Sequence, residues 1–71
     1  MRKEIKHHIF TAHLYQHNNG IYEYNIDKVD VYIQRNSIVL NQARMNPFDA
    51  PHLFELINIC LKELNEKKET N

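Results

Sequence analysis

The apolar residues of this chain change period once, and that change constrains the fold more than any other feature. Through about residue 40 they alternate with period two, as half-buried strands do. From Leu53 onward, Leu53, Leu56, Ile57, Cys60, Leu61 and Leu64 recur at the i, i+3, i+4, i+7 spacing of one helical stripe. Strands first and a single amphipathic helix last define an α+β chain.

Phe10, Ala12 and Leu14 share one face of a first strand, with Ile9, Thr11, His13 and Tyr15 on the other. Asn18-Asn19-Gly20 follows, and Asn-Gly is a strong hairpin signal because both residues tolerate positive φ. Tyr22, Tyr24 and Ile26 then alternate with Ile21, Glu23 and Asn25, and Asp27-Lys28 makes a tight connection. Val29, Val31 and Ile33 alternate with Asp30, Tyr32 and Gln34. Arg35-Asn36-Ser37 turns the chain again into Ile38-Val39-Leu40. The expected architecture is ββββα, a four-stranded antiparallel meander with one C-terminal helix packed on one sheet face. Its strands fall at about 5–16, 20–26, 29–35 and 37–42 and its helix at about 50–67, with a frayed tail at 68–71. A helix over Lys3–His17 also fits Ile5, Ile9 and Ala12, but β-branched and aromatic residues ending in Asn-Gly favour a hairpin.

The helix start is well marked. Asp49 is a natural N-cap, Pro51 is tolerated in the first turn, and Phe48 is placed to pack on Leu53 as a hydrophobic staple. Glu63 and Lys67 stand at the i, i+4 spacing of a favourable pair.

At 71 residues the chain has room for a single small domain. A chain of this size buries only roughly 60% of its unfolded surface, so efficient packing, a second copy or a partner is expected to support it. No apolar run reaches the length of a membrane span, and a single Cys excludes an intramolecular disulfide and a CxxC zinc site. A cytoplasmic location is the expectation. Nine basic residues balance nine acidic ones, which argues against a strong sequence-independent grip on nucleic acid. Nine Asn and eight Ile, drawn from A/T-rich codons, suit a low-GC genome and a phage or mobile element.

Catalytic chemistry finds little to work with. His13 and His17 would make a metal face on a helix, but on a strand they stand about 13 Å apart, too far to share an ion. No Cys or carboxylate cluster completes a zinc set, and no metal or other cofactor is expected. Cys60 lies in the apolar stripe, where a thiol behaves as a small hydrophobe. Ser37 has no glycine-flanked elbow, Gly20 is the only glycine, and Asp27 and Asp30 read as turn residues. An enclosed pocket of about 300 Å³ or more is hard to build in so short a chain. The expectation is a protein that is not an enzyme.

The second sheet face is more informative. Ile9, Tyr15, Ile21, Tyr32 and Val39 share it with Thr11, His13, Glu23 and Gln34, and a purely solvated face would be more polar. Tyr and Arg supply much of the binding energy of protein interfaces, so Tyr15, Ile21, Tyr32, Arg35, Val39 and Arg44 are the candidate anchors. The reading is a non-enzymatic protein-binding module, an inhibitor or adaptor that covers a surface of a host protein, as a homodimer. Pairing of open edge strands between two copies would also remove an aggregation hazard.

The element order, with Ser37-Ile38-Val39-Leu40 as last strand and Phe54-Glu55-Leu56 in the following helix, resembles the transcriptional coactivator family called positive cofactor four. The likeness spans His8 to Leu64. It implies a dimer that binds single-stranded nucleic acid, with Tyr15 and Tyr32 stacking on bases and Lys3, Lys6 and Arg35 near phosphates. The chain departs from that family in lacking a Lys-rich strand or loop.

Overall fold

The computed structural model describes residues 3–67. The chain forms β1 (Glu4–His7), β2 (Phe10–Gln16), β3 (Tyr22–Ile26), β4 (Val31–Gln34) and β5 (Ser37–Val39), followed by α1 (Ala50–Asn65). The strands lie side by side in sequence order, each antiparallel to the next, and α1 packs on one face. The α+β meander with a C-terminal helix is therefore the fold, with one strand more than the sequence reading counts.

The extra strand comes from a break inside the first alternating run. His8 takes φ 57°, and His8-Ile9 becomes a two-residue connection closed by the pair His7–Phe10. Positive φ at the first central position is what such a hairpin demands, and histidine is among the few non-glycine residues enriched there. Ile5 then faces Ala12 on the helix side, whereas Ile9, expected on the second face, sits in the turn. The expected tail at 68–71 lies outside the described residues.

The other connections keep the expected order with different turns. At Asn18–Gly20 only Gly20 is left-handed, at φ 90°. Gly20 N–H donates to His17 O at 2.9 Å and His17 N–H to Ile21 O at 2.8 Å, a three-residue loop ending in a glycine rather than a two-residue Asn-Gly turn. The Asp27–Val29 segment is a 3₁₀ turn closed by Asp30 at φ 52°, so the next strand starts at Val31, not at residue 29. Val29 stays buried all the same.

Burial follows the alternation. Phe10, Ala12, Tyr24, Ile26, Val31 and Ile33 meet Leu53, Leu56, Ile57, Cys60 and Leu64, with Leu14, Tyr22 and Leu40 packed at the margin. The helix ends differ from expectation in detail. Asp49 stands at the N-cap without a side-chain capping bond; instead Asn46 O accepts from both Asp49 N–H and Ala50 N–H at 2.9 Å. Phe48 is 88% exposed and makes no staple with Leu53. The helix stops at Asn65, two residues early. Glu63 pairs with Lys3, just before β1, rather than with Lys67, whose ammonium lies 5.2 Å from the centre of the Tyr22 ring. No described helix is long and apolar enough to cross a membrane.

Candidate functional site

Residues directly opposite in an antiparallel ladder share a face, so the register lays out the sheet surface away from α1. One row runs Glu4, His13, Asn25, Tyr32, Val39 across all five strands; the next runs Tyr15, Glu23, Gln34, Ser37. The two rows differ in chemistry from one end to the other.

Polar side chains hold the middle. Glu23 is the hub: its Oε1 accepts from Gln34 Nε2 at 2.8 Å and lies 3.3 Å from His17 Nε2. With its amide nitrogen turned toward the same carboxylate, Asn25 donates to Glu23 Oε2 at 2.6 Å. His13 Nδ1 lies 3.1 Å from Glu4 Oε2 on the β1 side. The groups around Glu23 satisfy one another, which lowers the gain from covering them with a partner, whereas the buried His13 Nδ1 makes no hydrogen bond despite its closeness to Glu4.

The β4–β5 corner is apolar. Tyr32 and Val39 are directly opposite and 40% and 58% exposed. Ile38, on the helix side of β5, is exposed as well, and β5 is the last strand of the sheet. Along α1, Glu55 and Glu63 reach toward β1, so helical phase turns Phe54 to the opposite flank, where it is also exposed.

The remaining candidate anchors are scattered. Tyr15 is half-buried on β2 opposite Glu23, and Ile21 is half-buried at the entry to β3. Arg35 turns to the helix side, where its Nη2 donates to Leu64 O at 3.2 Å and to Lys67 O. That places a cation on the carbonyl end of α1. Arg44 lies in the connector, its Nε 3.3 Å from Asp30 Oδ2. Lys6 is exposed on β1 opposite Thr11, and Lys3 is engaged with Glu63. Thus the structure brings Tyr32 and Val39 together and sends Arg35 and Arg44 elsewhere.

A second cluster lies on the helix side, at the tip of the β1–β2 hairpin. His7 Nε2 is 3.0 Å from Glu55 Oε1, and His52 Nδ1 is 3.4 Å from the same oxygen. His8 stacks on His52 with ring centres 3.9 Å apart and planes inclined by 19°, and its Nε2 lies 3.4 Å from Asp49 Oδ1. The hydrogen bond with His7 is the main reason the Glu55 carboxyl is held below its ordinary range. Reading the sequence through His13 and His17 misses this cluster. The His52–Glu55 spacing on a clear helix was visible; the contribution of His7 depends on the hairpin.

Elsewhere, burial pushes the Cys60 thiol up to about 12, which keeps it protonated and unreactive. A shallow cleft of about 230 Å³ opens between Ile9, Val29, Arg44, Met45 and Leu53, smaller than a typical small-molecule site of roughly 300 Å³ or more. No protein-family model matches the chain, and neither a curated protein nor a solved structure is significantly similar to it.

Proposed function

We propose that this chain is a non-enzymatic protein-binding module that docks through the β5 edge, and that the protein it binds there is a second copy of itself. The observation carrying this reading is β5. It is a three-residue edge strand, exposed at every position, with Ile38 on one face and Val39 beside Tyr32 on the other. Among the described residues no strand pairs with its outer side. An unprotected apolar edge is a template for strand addition.

Two-fold pairing of β5 with β5 would join the sheets of two copies. A three-residue strand alone does not bury the roughly 1,200 Å² of a stable interface. Tyr32 and Val39 on one side and Ile38 on the other extend the patch. An inhibitor or adaptor role, covering a surface of another protein, would use the same apolar corner.

Sedimentation equilibrium over a wide concentration range tests it. Val39→Lys places a charge on the edge strand, where the side chain is exposed and the fold does not depend on it. The expected result is a wild-type dimer, and a variant with the same far-UV CD whose association weakens by at least about tenfold, or 1.4 kcal/mol. A wild-type chain that stays monomeric throughout overturns the reading. Arg35 is unsuitable for such a test because it holds the end of α1.

Single-stranded nucleic acid draws less support from the same geometry. Tyr15 and Tyr32 are two strands apart with the Glu23 carboxylate between them, and Lys3 and Arg35 already have partners. Anisotropy of a labelled oligonucleotide at low salt is the direct check: salt-sensitive binding would revive it.

A further inference from the structure

We propose that His7, His52 and Glu55 form a divalent metal site that takes an ion of the Zn²⁺ class, with two imidazoles and one carboxylate as ligands. The proposal is separate from the β5 interface, which lies on the opposite edge of the sheet.

Geometry carries the argument. One donor atom from each of the three residues lies within 4.8 Å of the other two. Tetrahedral zinc with bonds of about 2.0–2.1 Å sets its ligand atoms about 3.3 Å apart. The two separations to Glu55 Oε1, 3.0 Å from His7 Nε2 and 3.4 Å from His52 Nδ1, match that edge. The His7 and His52 rings are tilted by 52° with centres 6.2 Å apart, which leaves room between them. The third ligand-atom separation, between the two imidazoles, also lies within 4.8 Å.

The scaffold supports the set. His52 and Glu55 stand at i, i+3 on the first turns of α1 and project toward the same edge of the sheet. His7 ends β1 on the helix side, fixed in register by Phe10. The His8 ring lies flat against His52 and limits its rotation, the kind of outer support that orients a metal ligand. Imidazole and carboxylate ligands suit zinc and its neighbours better than calcium or magnesium, which prefer all-oxygen shells. Three protein ligands leave a fourth position for water. An ion here would reinforce the ties that already join the tip of the β1–β2 hairpin to the start of α1.

Isothermal titration of the full chain with Zn²⁺, paired with melting curves with and without a chelator, tests this. The expected result is one ion per chain, a melting temperature that rises with zinc and falls back on chelation, and histidine NMR shifts at His7 and His52. His52→Asn and Glu55→Gln, at a half-buried and an exposed helix position, should keep the far-UV CD and each lose at least about tenfold in affinity. The double variant His13→Asn, His17→Asn should bind as the wild type does. No saturable binding, or binding lost only in the His13/His17 variant, overturns the assignment.

Discussion

Cys60 shows how position rather than residue type decides chemistry. It is fully buried between the sheet and α1, and burial pushes its thiol up to about 12. A thiol that stays protonated is a poor nucleophile. Cys60 is therefore expected to resist iodoacetamide in the native protein and to react fully once the chain is unfolded, which mass spectrometry of timed samples reads directly. Glu63 is the opposite case, a carboxylate at the surface whose partner lies 60 residues away. Its hydrogen bond with Lys3 holds the carboxyl below its ordinary value of 4.5. A depressed folded-state value means the contribution is complete above that pH and is lost as the pH falls through the lower, folded one. Melting temperatures of wild type and Glu63→Gln should thus differ slightly near neutral pH and converge as the pH falls below the ordinary carboxylate range. The sequence pointed Glu63 at Lys67, a neighbour one helical turn away. Lys3 became the partner because the β1–β2 hairpin carries it to the side of the helix.

At the scale of elements, helix periodicity and strand alternation were legible, and the joints between them were not. Asp49 and Pro51 marked the start of α1 at Ala50, but its end was set from outside. Arg35, in the β4–β5 turn, donates to the carbonyls of Leu64 and Lys67 and closes a helix end that lacks a glycine cap. Arg35→Ala is expected to cost about 1–2 kcal/mol and to speed amide exchange in the last turn of α1 while leaving the centre protected. The first strand was the larger misreading. A two-residue hairpin inverts the alternation, putting Ile5 and His7 on the same face as Phe10 and Ala12, but β1 carries only Ile5 as an apolar residue, so the inversion leaves almost no trace in the pattern. Nothing in His8-Ile9 advertises a turn as Asn-Gly does. The same hidden hairpin explains why the cluster of His7, His52 and Glu55 was not legible: its members are brought together only when β1 folds back along β2.

The whole molecule depends on one thin core, a single helix across one face of a short sheet. Leu56 lies at its centre, fully buried. Leu56→Ala should cost about 2–5 kcal/mol, a large share of what so small a domain has, and urea melts should show a matching fall in midpoint. The opposite face has no helix over it. There the interlinked polar groups around Glu23 satisfy themselves, whereas the Tyr32–Val39 corner does not. That contrast separates residues the sequence had grouped together: Tyr15, Ile21, Tyr32 and Val39 share a face by alternation, but the apolar corner at the β5 edge contains only the last two. Local sequence by itself determined the α+β class, the antiparallel order of the later strands, the helix and the inward face of every element but β1, because all follow from periods of two and 3.6 along neighbouring residues. Tertiary structure alone decided the fifth strand, the fate of Arg35 and Glu63, and the meeting of His7 with His52 and Glu55. Each of these depends on which distant side chain arrives at a given distance and angle, and no local pattern encodes that.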